Sequence, residues 1–234
     1  MEKLTLVLLP GLDGSGDLFA SFIEALGPEF KTTIVRYPVG EPMGYQELEA
    51  LVRQRLPASE PIAILGESFS GPIAVSIAAT PPPNLVATVL CCTFTSNPQP
   101  NLSHLRWLLP LASHRLAPLA VVSAFLLGKQ SSPALRDLLA SALAKLSTAA
   151  FRARLAAVLG VNVTAKLASV QSPVLYLQAL QDRLVPAGAS AKVLQANVSI
   201  QVAKLEGPHF LLQTSPALAA EVVGAFLTAQ QNAG

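Results

Sequence analysis

Three residues that could do chemistry, Ser68, Asp182 and His209, each follow a short apolar run: "IAILGES", "LYLQALQD" and "IQVAKLEGPH". A serine hydroxyl is a poor nucleophile at neutral pH. It needs a base within hydrogen-bond reach, and the base needs a carboxylate to hold it. Serine, histidine and aspartate are the residue types of acyl transfer through a covalent serine ester. Ser68 lies in "GESFSG", with small residues at Gly66, Ser70 and Gly71. The run before it reads as a strand and the run after it, "FSGPIAVSIAA", as a helix. A side chain at such a turn stands clear of the sheet at its C-terminal edge, and its neighbours must be small. The positive end of the following helix then faces any anion that forms there.

The chain has three histidines. His209 follows the last strand, on the edge that carries Ser68, and is expected to be the base. His104 and His114 fall in a separate helical segment and are assigned no proton-transfer role. Asp182, just past the penultimate strand, is the expected orienting carboxylate. The strand before the helical segment ends in "TFTSN" and offers no acid. Glu206, three residues before His209, is a rival orienter that reads better as a solvated strand-end charge. Glu67 either tunes the site or makes a structural hydrogen bond to a neighbouring loop. The oxyanion of an attacked carbonyl needs donors. The backbone N–H of Phe69, at the helix start, is one. The N–H of Leu12, in "LPGLDGSGDLF", is the other, with Gly11 expected to supply an unusual backbone angle. Asp13 and Asp17 read as caps of the first helix.

The elements that must position these groups alternate. Six strands are expected in "LTLVLLP", "KTTIVRYP", "IAILGES", "LVATVLCCTF", "PVLYLQALQD" and "IQVAKLEGPH". Several are continuously apolar, as parallel strands covered on both faces are. Leu18, Phe19, Phe22, Ile23 and Leu26 share one helical face, as do Leu48, Leu51 and Val52. A helix after Ser68 should bury Ile73 and Ile77. A last one, from about Pro216, should turn Leu218, Val222 and Phe226 inward. Strand–helix alternation implies a doubly wound α/β sheet. Cys91 and Cys92 read as core thiols on opposite strand faces, which excludes a mutual disulfide.

With 234 residues, 51% hydrophobic and 13% charged, the chain suits one domain with a large core, not a disordered or highly charged one. Residues 96–169 contain no clear strand. Leu135, Leu138, Leu139, Ala142, Leu143 and Leu146 form a helical stripe there, and Pro110, Pro118 and Pro133 punctuate the segment. It reads as a helical cap inserted into a core of residues 1–95 and 170–234. The insertion holds Arg106, Arg115, Lys129, Arg136, Lys145, Arg152, Arg154 and Lys166 against the single acid Asp137, a net charge of +7. The remainder, with eight bases and thirteen acids, carries −5. The basic insertion is either a solvated face or a docking surface for an acidic partner, such as an acyl carrier protein or an anionic lipid surface. No nucleic-acid motif is present. "LAPLAVVSAFLLG" is too short to span a bilayer, so no stable membrane insertion is expected. The N-terminus lacks a signal-peptide pattern, and a cytoplasmic location is expected.

"LLPGLDGSG", "GESFSG", "LQDRLVP" and "GPHFLLQTSP" occur in that order over nearly the whole chain. On these motifs the sequence resembles the α/β-hydrolase superfamily, and among its members the small microbial carboxylesterases, including the pimeloyl-carrier-protein methyl ester esterases. The resemblance implies a mostly parallel twisted sheet of about six strands with helices on both faces and an inserted helical cap. It implies ester hydrolysis through an acyl-serine, with Ser68, Asp182 and His209 as the triad and no cofactor or metal. Two departures stand out: Pro10 where a histidine often precedes the oxyanion glycine, and Ser70 where a glycine is usual. The chain also begins at what would normally be the third strand. The expected substrate is a small apolar ester of short to medium acyl length. Thioester hydrolysis, acyl transfer, a lyase step or a non-catalytic receptor could use the same scaffold. Dehalogenase and epoxide hydrolase chemistry would need an aspartate in place of Ser68.

Overall fold

The computed structural model describes residues 3–116 and 118–233. The side chains of residues 102–106, 116 and 233, among them His104 and Arg106, lie outside the described set. Six strands form one sheet: β1 (Thr5–Leu9), β2 (Lys31–Ile34), β3 (Ile62–Glu67), β4 (Leu85–Cys91), β5 (Val174–Ala179) and β6 (Gln201–Leu205). Their order is β2-β1-β3-β4-β5-β6, and every pairing is parallel. This is the α/β-hydrolase fold.

Ten α-helices are described: α1 (Ala20–Leu26), α2 (Tyr45–Arg55), α3 (Gly71–Ala79), α4 (Leu119–Leu126), α5 (Pro133–Lys145), α6 (Thr148–Gly160), α7 (Thr164–Ala168), α8 (Ala187–Ala196), α9 (Leu211–Thr214) and α10 (Pro216–Ala233). Parallel crossovers are right-handed, so the direction of travel across the sheet decides which face a connecting helix covers. From β1 the chain steps outward to β2, which puts α1 on one face. From β2 it turns back over β1 to β3, then runs on to β4. That reversal puts α2 and α3 on the other face, where α8 joins them.

Strand alternation splits the core accordingly. Val7, Leu9, Ile62, Ile64 and Tyr176 pack with α2, α3, α7 and α8. Leu6, Leu8, Ala63, Leu65 and Leu177 pack with α1, α9 and α10. Both faces are covered, which explains the continuously apolar strands. Between β4 and β5 the described residues form α4 to α7 and three 3-10 stretches, Pro100–Leu111, His114–Leu116 and Gly128–Gln130.

Two local expectations change. The buried stripe of α10 is Ala219, Ala220, Val223, Phe226 and Leu227, whereas Leu218 is 43% exposed. The stripe is rotated by one residue because the small Ala219 and Ala220 let α10 approach the sheet and α1 closely. Cys91 and Cys92 do not point to opposite faces. Cys92 follows the end of β4 with φ at +47°, which folds its side chain back until the two free thiols are 3.9 Å apart on one side. On this packing, Leu227→Ala should cost about 2–5 kcal/mol and Leu218→Ala less than about 0.5 kcal/mol in urea unfolding.

Candidate active site

The carboxyl ends of the strands lie along one edge, with Leu9 beside Gly66, Glu67 beside Cys91 and Ala179 beside Leu205. The loops after β1, β3, β5 and β6 therefore leave from one rim, and each carries one of the expected groups.

At the end of β3 the chain turns through a 3-10 stretch, Ser68–Ser70, directly into α3. Ser68 has φ at +50°, a left-handed angle that costs a non-glycine residue free energy and persists only where the surroundings impose it. The surroundings leave no room for side chains. A Cβ on Gly66 would sit 2.8 Å from the Ser70 carbonyl oxygen, and one on Gly71 would sit 1.9 Å from Thr93 Oγ1. Thr93 Oγ1 donates to the Ser68 carbonyl, and Tyr176 in turn donates to the Thr93 carbonyl at 2.9 Å.

Ser68 Oγ lies 2.7 Å from His209 Nε2. His209 Nδ1 lies 2.8 Å from Asp182 Oδ2. The other carboxylate oxygen of Asp182 accepts from the N–H groups of Leu184 and Val185, at 2.8 and 2.9 Å. With the carboxylate so fixed, Nδ1–H donates to Asp182, and the tautomer this selects leaves Nε2 as a hydrogen-bond acceptor facing the Ser68 hydroxyl. The side chains of His209 and Asp182 are 3% and 5% exposed. Glu206, the rival orienter, instead accepts from Gln181 Nε2.

The loop after β1 is held by the serine turn and by α6. Ser70 Oγ donates to the Pro10 carbonyl and accepts from the Tyr37 hydroxyl at 2.6 Å. Serine in place of the usual glycine thus ties the serine turn to this loop. Arg154, from α6, reaches in with Nη1 on the carbonyls of Leu12 and Asp13, at 2.7 and 3.0 Å, and Nη2 on the carbonyl of Pro38, at 2.9 Å. Its guanidinium also lies over the Tyr37 ring. The N–H of Leu12 has no hydrogen-bond partner among the described residues. Phe69, in the first turn of its helix, lacks an intrahelical acceptor.

Three expectations about this loop are revised. Gly11 does not take a left-handed angle; Gly14 and Gly16 do, at +74° and +73°. Asp13 caps no helix but accepts from the N–H and hydroxyl of Ser15. Asp17 pairs with Lys145 at 2.6 Å. Arg154, read as part of a basic outer face, is fully buried. A signal for this was available. Arg152 and Arg154 are two residues apart on α6, about 200° around the helix, so they cannot share one solvated face.

Glu67 is also buried, and its Oε1 accepts from Gln213 Nε2 at 2.9 Å. Burial is the main cause that raises its pKa from 4.5 to about 7, with Gln213 opposing.

Ser68, His209, Leu12 and Phe69 open onto one cavity of about 480 Å³. Its walls are mostly apolar, built by Phe94 from the core and by Val122, Leu126, Leu139, Phe151 and Leu155 from the helices between β4 and β5. His114 joins this wall, and burial is the main cause that lowers its pKa. No group of three His, Cys, Asp or Glu side chains among the described residues could hold a metal ion.

The Alpha/beta hydrolase family profile matches residues 6–222. The chain belongs to this family. Solved structures share the fold at low identity. A lipase-esterase related protein from Clostridium acetobutylicum is 16% identical, with a TM-score of 0.78 over 95% of this chain and 94% of its own. A hydrolase from Pseudomonas aeruginosa is 18% identical, with a TM-score of 0.81 over 96% and 90%. An enol-lactonase from Burkholderia xenovorans is 15% identical, with a TM-score of 0.78 over 97% and 92%. Among curated proteins, none matches this sequence.

The raised pKa of Glu67 gives a prediction of definite sign. Between pH 4.5 and 7 the folded hydrolase keeps a proton that the unfolded chain has released. Stability from this group is therefore present below pH 4.5 and declines as pH rises to about 7, by about 3 kcal/mol. Glu67→Gln should remove this slope, measured as the difference between wild-type and variant urea-unfolding free energies across that range.

Proposed function

We propose that this hydrolase is a serine carboxylesterase that cleaves apolar esters of short to medium acyl length. The observation that carries the reading is the hydrogen-bonded series Ser68–His209–Asp182, with spacings of 2.7 and 2.8 Å, opening into the apolar cavity. Ser68 Oγ attacks the ester carbonyl as His209 Nε2 takes its proton. Asp182 holds the imidazole by Nδ1–H and stabilises the imidazolium. The N–H groups of Leu12 and Phe69 receive the oxyanion. The intermediate collapses to the acyl-serine, and His209 returns the proton to the departing alcohol. A water then attacks the acyl carbon with His209 again as base, which releases the acid and restores Ser68. The acyl chain occupies the cavity walled by Phe94, Leu139 and Phe151. The cytoplasm is the proposed compartment, where two adjacent free thiols stay reduced.

Steady-state hydrolysis of p-nitrophenyl butyrate tests the reading. Ser68→Ala should lower kcat by more than about a thousandfold, and Asp182→Asn by about a hundred- to ten-thousandfold. A fluorophosphonate probe should label the wild type and spare Ser68→Ala. Equal rates in wild type and Ser68→Ala would refute the reading, and absent labelling would point to a dormant receptor. Arg154→Met removes the donors on Leu12 and Asp13 without touching the triad. It should lower kcat about ten- to a hundredfold with a smaller change in KM, because its effect falls on transition-state charge.

A further inference from the structure

The helix α4, "LAVVSAFL", carries no charge, and no charged residue occurs between Arg115 and Lys129. A helix that is apolar all round belongs inside a protein or in lipid, yet α4 forms an outer wall. Val122 and Leu126 face inward and line the cavity. On the outer side Leu119, Val121 and Phe125 are 38%, 50% and 44% exposed, and Ala120 and Ala124 are exposed beside them. Val121 and Phe125 also border the cavity, as does Leu184, which is exposed on the loop after β5 together with Leu180. The outer apolar surface and the cavity are therefore continuous.

Basic residues flank this surface. Arg115 and Lys129 stand at the two ends of the uncharged stretch, and Arg183 adjoins Leu184; all three are exposed. Lys145, Lys166 and Arg154 are engaged elsewhere, with Asp17, Glu49 and the loop carbonyls. The acids near this rim are Asp182, bound to His209, and Glu206, bound to Gln181. Asp137 is the only acid of the insertion.

We propose that α4 and the Leu180–Leu184 loop form a docking face for an anionic lipid surface. Leu119, Val121 and Phe125 would sink into the headgroup region, and Arg115, Lys129 and Arg183 would meet the lipid phosphates. Peripheral binding to a lipid surface scales with the apolar area buried plus the attraction of nearby cations to anionic headgroups, and this face offers both. A second copy of the chain fits less well, since a symmetric contact would set these cations against their own images. An acidic carrier protein would answer the charge but not the exposed aliphatic surface that runs into the cavity. No described helix is long and apolar enough to cross a membrane, so the contact is peripheral.

The test uses Ser68→Ala protein, which separates docking from chemistry, in flotation with phosphatidylcholine vesicles with or without phosphatidylglycerol. The protein should float with the anionic vesicles about tenfold or more better than with the neutral ones, less so in high salt. Adding Leu119→Ser, Val121→Ser and Phe125→Ser should weaken flotation about a hundredfold. Circular dichroism melting should confirm that this variant is folded. Arg115→Glu with Lys129→Glu should remove the preference for phosphatidylglycerol. The proposal is overturned if the protein floats with neither vesicle, or if the serine variant floats as well as its parent. It is equally overturned if, without vesicle binding, the patch mediates dimerisation in sedimentation velocity or co-elution with an acidic carrier protein.

Discussion

The site depends on one strained turn. Ser68 holds a left-handed angle between the end of β3 and the start of α3, and the fold gives it no alternative. Gly66 and Gly71 lie where a Cβ would strike backbone or Thr93, and Thr93 pins the Ser68 carbonyl from β4's side. A relaxed angle would swing the hydroxyl out of reach of His209. The rest of the site is arranged around this fixed point. Parallel register puts the β1, β5 and β6 loops on the same rim, so three segments distant in sequence meet one hydroxyl without any long irregular connection.

The parts of this arrangement visible in the sequence were those with a short-range signature. Small residues around Ser68, an acid just past β5 and a histidine just past β6 are consequences of strand ends, and strand ends are written locally in apolar runs. The six strands were legible for the same reason. Contacts between distant segments were not. Nothing near Ser70 says that its hydroxyl binds Pro10 and Tyr37. The rotation of α10 comes from its close fit against α1, which depends on both partners. The fold-back of Cys92 results from a backbone angle beyond the strand, where alternation no longer applies. Gly11 was the wrong glycine because the loop bends later, at Gly14 and Gly16, where Tyr37 and Ile34 crowd it.

The uneven charge of the chain acquires a partial structural account. Lys145 crosses to Asp17 and Lys166 to Glu49, so the basic helices and the acidic remainder meet in specific pairs. Exposed pairs of this kind contribute little to stability, about 0–1 kcal/mol each. Arg154 differs from them. It is fully buried and has carbonyl oxygens rather than a carboxylate as partners. Burial is the chief cause that lowers its pKa, and losing those partners without access to water would leave an uncompensated charge.

That guanidinium belongs to α6, while the carbonyls it grips belong to the loops after β1 and β2. Any hinge motion that lifted α6 from the sheet to admit a bulky guest would withdraw the same donor from Leu12 and Asp13. One side chain thus latches α6 to the backbone of both loops, so the wall over the cavity and the peptide groups of Leu12 and Asp13 keep their places together or lose them together.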